Sequence, residues 1–231
     1  MSEIKENLEK IRDRISTAAR RAGRSADSVR LVAVSKKMPF EKVQEAMACG
    51  QMLFGESYLQ EARQKIASIG AGPTWHFIGH VQSNKAKGAA ELFDTIETVD
   101  RLKLARELDR NLAEAGRQMS ILIQINIGRE AQKSGVLPEG AEALLAKINE
   151  LPNLQIKGLM TMPPFLPDPE AVRPYFRQLR LLAEKLEKSG LLGLHGKVEL
   201  SMGMSGDFEV AIEEGATLVR VGTAIFGDRP Y

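Results

Sequence analysis

A (β/α)8 TIM barrel is the fold this sequence predicts, and three observations predict it. Eight short runs rich in Val, Ile and Leu alternate with longer segments of helical spacing. Several runs, Ile121-Leu122-Ile123-Gln124-Ile125 among them, are apolar on both faces, as parallel strands covered on each side must be. The length, 231 residues, lies near the lower end for this α/β fold and leaves little room for a second domain. The rival fold, an open doubly wound sheet, is weakened because no Gly-x-Gly-x-x-Gly follows the first strand.

The elements follow in order. The chain opens on a helix over 2–22, where Leu8, Ile11 and Ile15 recur at helical spacing, and this apolar stripe packs on the barrel. Strands are predicted at 31–35, 52–54, 75–78, 94–97, 120–126, 156–161, 198–201 and 218–221. Asp94 and Glu97 make the fourth run the weakest of the eight. Helices fill the gaps at 40–48, 58–68, 84–91, 101–115, 138–150, 170–188 and 205–214. Gly50, Gly116, Gly190 and Gly215 fall where helix C-caps belong, and Pro39 and Pro138 stand near helix starts, where a missing N–H costs little. The Pro-rich stretch at 162–167 is a loop after the sixth strand, too short to link domains, so one domain over 1–231 is expected.

Composition excludes several classes. Thirty-two basic and 30 acidic residues leave a net charge of +2, with no basic block and few aromatics to stack on bases, so no nucleic-acid surface is expected. The single cysteine, Cys49, rules out an internal disulfide and a cysteine-rich metal site, and suits the cytoplasm. No apolar stretch approaches the roughly 20 residues of a membrane span. The charged N-terminus lacks the apolar region of a signal peptide.

A barrel of this kind carries its site at the C-terminal ends of its strands. Those ends bring Lys36, Gly55-Glu56-Ser57, Gly79-His80, Asn126, Met160-Thr161, Ser201-Met202-Gly203 and Gly222-Thr223 to one face. The loops after the seventh and eighth strands are the usual phosphate cradle, and here they read Ser201-Met202-Gly203-Met204-Ser205-Gly206 and Gly222-Thr223. Each loop by itself reads as an ordinary turn, with Ser205 capping the helix at 205–214, and their joint position at the phosphate end favours function. Lysines also end strands routinely with the amine in solvent, and Lys37 is next door. Period-two geometry nevertheless puts Lys36 on the face of Val32 and Val34. An amine at one strand end and a phosphate cradle at another suit a reactive carbonyl bearing a phosphate, and pyridoxal 5'-phosphate (PLP) is the cofactor that needs both.

Arg220 shares a strand face with Gly222 and is costly to bury without a partner. It reads either as half of a structural ion pair or as a contact to the pyridine nitrogen of PLP. Arginine only donates, so it would hold that nitrogen unprotonated and weaken the ring as an electron sink. His76 alternates with strand geometry and reads as a satisfied core or rim residue, whereas His80 is placed to line the pocket. Ser83 reads as an N-cap, and the polar segment Arg129 to Gly135 as a solvated loop, with a lid as the alternative.

These residues carry a resemblance. The pieces are Ala33-Val34-Ser35-Lys36, Phe54-Gly55-Glu56, Trp75-His76-Phe77-Ile78-Gly79, Gln82-Ser83-Asn84-Lys85, Gln124-Ile125-Asn126, Lys133-Ser134-Gly135, Gly158-Leu159-Met160, the 200–205 segment and the 219–227 segment. With these nine in one order, the sequence resembles the YggS/PROSC family, the PLP homeostasis proteins, over essentially its whole length. The resemblance implies a fold like the N-terminal barrel domain of alanine racemase, with PLP on Lys36. It also implies phosphate contacts from Ser201, Gly203, Gly222 and Thr223, with Arg220 facing the ring nitrogen. The family usually reads Phe-Gly-Glu-Asn after its second strand. Ser57 stands here in place of that Asn, so one pocket contact is altered.

Family members are not known to turn over a substrate; they bind PLP and influence its level. A two-base racemase needs a second acid–base group opposite the lysine, which alanine racemase takes from a second domain and a partner subunit. This chain ends just after the eighth strand's loop, so a monomeric, non-catalytic PLP carrier that buffers the cofactor or delivers it to PLP-dependent apo-enzymes is expected. The alternatives are a one-domain PLP-dependent amino-acid racemase, a Schiff-base lyase using Lys36 without PLP, and a scaffold.

Overall fold

Eight parallel strands close on themselves in chain order, β1 through β8, in the computed structural model. The structure describes residues 2–228, and the outermost positions of the expected 1–231 domain lie outside them. The strands are β1 (Arg30–Val34), β2 (Leu53–Glu56), β3 (Thr74–Phe77), β4 (Thr95–Val99), β5 (Met119–Gln124), β6 (Leu154–Met160), β7 (Glu199–Ser201) and β8 (Leu218–Val221). The helices are α1 (Glu3–Arg21), α2 (Phe40–Ala48), α3 (Leu59–Ile69), α4 (Ala86–Leu92), α5 (Leu102–Glu114), α6 (Ala141–Ile148), α7 (Pro169–Lys188), α8 (Phe208–Glu213) and α9 (Thr223–Phe226). The predicted barrel is therefore the observed one.

Two cores follow from strand alternation. A large apolar layer lies between strands and helices and includes Leu108, Leu112, Ile121, Ile123 and Phe176. A much smaller cluster, Val32, Leu122, Met160 and Leu218, plugs the barrel interior. Both faces of the strands are covered, which is why the runs read as nearly continuous apolar sequence.

The outer ring depends on α1. The segments after β7 and β8 form only the short helices α8 and α9. Helix α1 packs against α2, α8 and α9, burying Ile4, Leu8, Ile11 and Ile15. Asn7 donates to the Ile225 carbonyl at 3.1 Å, and Arg14 lies 4.6 Å over the Phe208 ring while pairing with Glu209. Its amphipathic stripe is thus spent on the barrel.

Three sequence expectations shift. The helix expected over 205–214 begins only at Phe208, because the Asp207 carboxylate accepts the Met204 N–H at 2.6 Å and turns residues 204–207 into a loop. Ser205 therefore caps nothing. Ser83 starts a 3₁₀ turn ahead of α4 and makes no capping bond. The weak fourth run is a fully buried strand, because Glu97 faces the barrel interior and finds partners there.

The β6 and β7 backbones approach closely at Gly158, which pairs with Glu199 of β7. A Cβ on Gly158 would lie 1.8 Å from the Glu199 carbonyl oxygen. That atom is backbone and has nowhere to go. Gly158→Ala is expected to destabilise the protein by at least the about 1–3 kcal/mol of overpacking, read as a lowered urea midpoint.

Candidate functional site

The strand ends bring Lys36, Arg220, Gly222 and Thr223 around one cavity of about 390 Å³, which Ser205, Gly206 and Asp207 also line. Val34 and Ile78 supply apolar wall, and the 162–167 loop, with Phe165 86% exposed, forms the rim. Gly222 holds this rim against β1: a Cβ there would meet the Val34 carbonyl oxygen at 3.1 Å. The side chains of Ser205 and Thr223 and the backbone N–H groups of Ser205, Gly206 and Thr223 make no hydrogen bond among the described residues. Five donors without acceptors, beside a half-buried lysine, suit a bound anion. The residues present therefore fit a phosphate-bearing aldehyde such as PLP.

Arg220 forms the floor. It is 4% exposed, donating from Nη1 to Ser201 Oγ at 2.6 Å and from Nη2 to the Thr161 carbonyl at 2.8 Å. Thr161 is tied in turn to the Ile125 carbonyl through its hydroxyl. Ser201 passes the contact on, donating to Glu97 Oε2 at 2.5 Å. Glu97 Oε1 shares a 2.6 Å hydrogen bond with His76 Nδ1. A polar chain thus runs across the barrel from β3 through β4 and β7 to β8. Arg220 opposes a buried carboxylate, 4.0 Å away, and it also lines the cavity. Two of its five N–H donors are committed, leaving others for a ligand.

The electrostatics follow from this packing. Burial alone would push the Glu97 carboxyl up. The hydrogen bond and charge of His76, the charge of Arg220 and the hydrogen bond from Ser201 outweigh burial and hold it below the usual carboxylate range. Burial pulls the Arg220 guanidinium down, opposed by Glu97 and Asp207. Burial pushes Asp207 up against its hydrogen bond from Met204.

Other expected site residues lie elsewhere. Ser201 is fully buried and supports Arg220 instead of lining the cavity. Gly203, at φ 92°, lets its turn pass against α8, where a Cβ would meet Ala211 Cβ at 2.6 Å. Ser57 lines a larger groove of about 840 Å³ between α3 and α4, together with His80. That groove holds neither Lys36 nor Arg220, so size does not decide the site. Lys37 is exposed and does not line the cavity. The segment 129–135 is pinned: Asn126 bonds Glu130 and the Lys133 carbonyl, Gly135 N–H reaches Asp100, and Ser134 meets His80 at 3.1 Å. Sequence reasoning missed Glu97, whose only signal was a carboxylate in a strand two residues from Thr95. Ser205, read from sequence either in the phosphate loop or as a helix cap, lines the cavity.

Comparison with known proteins agrees with this geometry. The family model "Alanine racemase, N-terminal domain" matches residues 7–230. A pyridoxal phosphate homeostasis protein of Pseudomonas aeruginosa is 46% identical, covering 100% of this chain and 98% of its own. PipY of Synechococcus elongatus PCC7942, solved with PLP bound, is 37% identical with a TM-score of 0.84, covering 97% of this chain and 100% of its own. Alanine racemase of Clostridium difficile 630 is 14% identical with a TM-score of 0.75 and covers 99% of this chain and 60% of its own, a likeness of fold alone.

The Glu97 network makes one prediction. Its depressed carboxyl contributes stability that is present above the ordinary glutamate value and lost as pH falls through the depressed one. Glu97→Gln removes the carboxylate 4.0 Å from the buried Arg220, and is expected to cost about 3–5 kcal/mol at neutral pH. The variant's stability should also fall less steeply than wild type on acidification, as measured by chemical denaturation at stepped pH.

Proposed function

The chain belongs to the alanine racemase N-terminal domain family and, within it, to the pyridoxal phosphate homeostasis proteins, and on that premise we propose that it binds PLP covalently through Lys36 and acts in PLP homeostasis without substantial turnover. The observation that carries the reading is the set of uncommitted donors on Ser205, Gly206 and Thr223 in the same cavity as Lys36. Lys36 would hold the aldehyde carbon through its amine. Ser205, Gly206, Gly222 and Thr223 would hold the phosphate. Arg220 would donate toward the ring nitrogen from its fixed place on Ser201. When bound, PLP supplies an electrophilic carbon and an electron-withdrawing ring.

Two features support a carrier over a catalyst. Arg220 carries a permanent charge and only donates, so the ring nitrogen stays unprotonated and the ring stabilises a carbanion poorly. Among the described residues lining the cavity, only Lys36, Asp207 and Arg220 titrate, and Asp207 is committed to the Met204 N–H. The reading extends to a cytoplasmic, monomeric, single-domain barrel that passes PLP to apo-enzymes. No helix of the described residues is long and apolar enough to cross a membrane.

The test is an absorption spectrum of wild type beside Lys36→Ala, before and after PLP is added. A visible band in the wild type and none in the variant is expected, with borohydride reduction fixing the PLP mass on the Lys36 peptide. No band in either protein overturns the assignment. Amino-acid racemisation by wild type that disappears in Lys36→Ala would overturn the non-catalytic part.

A further inference from the structure

Helix α3 buries two residues, Ala62 and Lys65, and the second is an ion. Lys65 is 5% exposed. A buried ammonium is tolerated only when its donors are satisfied. Here all three are: Nζ donates to Glu56 Oε1 at 2.7 Å, to Glu61 Oε1 at 2.6 Å and to the Ser35 carbonyl at 2.6 Å. Nothing in the cofactor cavity uses it, since neither Lys65, Glu56 nor Glu61 lines that space.

The far ends of this network converge on the residues flanking Lys36. The Ser35 hydroxyl donates to the same Glu56 oxygen at 2.7 Å, and its carbonyl holds Lys65. On the other side, the Lys37 N–H donates to Glu61 Oε1 at 2.5 Å. Lys37 has φ 61°, a backbone conformation that L side chains rarely adopt. The chain therefore leaves β1 through a strained turn whose two shoulders are tied to one buried ammonium. We propose that Lys65, with Glu56 and Glu61, is a positioning residue that sets the backbone of 35–37 and so aims the Lys36 amine into the cavity.

Two observations favour positioning over plain packing. An apolar side chain would fill the inner face of α3 without the cost of burying two ionisable groups, Lys65 and Glu56. Glu56 Oε2 is buried with no hydrogen-bond partner, so the network is arranged around the turn and not around its own satisfaction. Burial pushes the Glu56 carboxyl up, against the charge and hydrogen bond of Lys65 and the hydrogen bond of Ser35.

The inference rests on the reading that Lys36 captures PLP, and the experiment separates the two. Capture is condensation of the Lys36 amine with the aldehyde, releasing water, and is followed as growth of the visible band after apo protein is mixed with PLP. Pyridoxine 5'-phosphate, which has the phosphate and ring but no aldehyde, reports the cavity alone by calorimetry. Glu61→Ala removes the Lys37 tether at a half-buried position that does not threaten folding. It is expected to slow capture by roughly tenfold or more, as misaimed reacting groups do, with analogue affinity unchanged. Glu61→Gln retains a carbonyl acceptor and should recover most of the rate. Lys65→Met should slow capture further; where it fails to fold, Glu61→Ala decides. Capture at the wild-type rate in Glu61→Ala, or an equal loss of analogue affinity, overturns the positioning role. Wild type that captures no PLP overturns the earlier reading instead.

Discussion

A carboxylate in the middle of the barrel organises the cavity floor. Glu97 sits fully buried on β4, and the interior that receives it has only a four-residue apolar plug, Val32, Leu122, Met160 and Leu218. An unpaired ion there would be intolerable. His76 takes one oxygen and Ser201 the other, and Ser201 accepts Arg220 in turn. One strand thus neutralises and orients a guanidinium carried by another four places on. Arg220 is held in place before any ligand arrives, which is the preorganisation a binding floor needs.

The wall that carries Lys36 uses the same physics with the charges reversed. There an ammonium, Lys65, is buried and two carboxylates answer it. The two networks do not share a residue. One fixes the cavity floor through strands facing inward, and the other fixes the turn after β1 through α3 outside the sheet. Apolar packing sets the distance between them: the layer around Ile121, Leu108 and Phe176 holds helices to strands, and Gly158 lets β6 and β7 approach closely. Buried ions contribute little net stability in proteins generally. Here they fall where direction matters, and the plain hydrophobic layer supplies cohesion.

The rim of the cavity differs in kind, since Ser205, Gly206 and Thr223 offer donors without acceptors among the described residues. The loop after β7 is kept out of a helix by Asp207, and this leaves Ser205 and Gly206 facing the cavity with their donors uncommitted. Thr223 does the same from the start of α9. A rigid floor, a lysine after β1 and a rim of open donors are three separate constructions brought to one end of the barrel by the parallel sheet.

The sequence by itself determined the barrel, the order of its strands and the strand ends that carry the site. Those follow from local rules: apolar runs on both faces mean covered parallel strands, and glycine marks the helix ends. It also placed Lys36, Arg220, Gly222 and Thr223 at strand ends by simple periodicity, and the structure gathers them around one cavity. The tertiary structure decided what Ser201, Ser205, Glu97 and Lys65 do. Ser201 was expected at the phosphate and hydrogen-bonds Arg220; Ser205 had two readings, phosphate loop or helix cap, and lines the cavity. Partners 104 residues apart in the chain, Ser201 and Glu97, meet only when the sheet closes. Lys65 looks like one more helix lysine until α3 is laid against the turn after β1. Periodicity specifies which way a side chain points, but the atom it meets belongs to another strand, and only closure of the barrel supplies it.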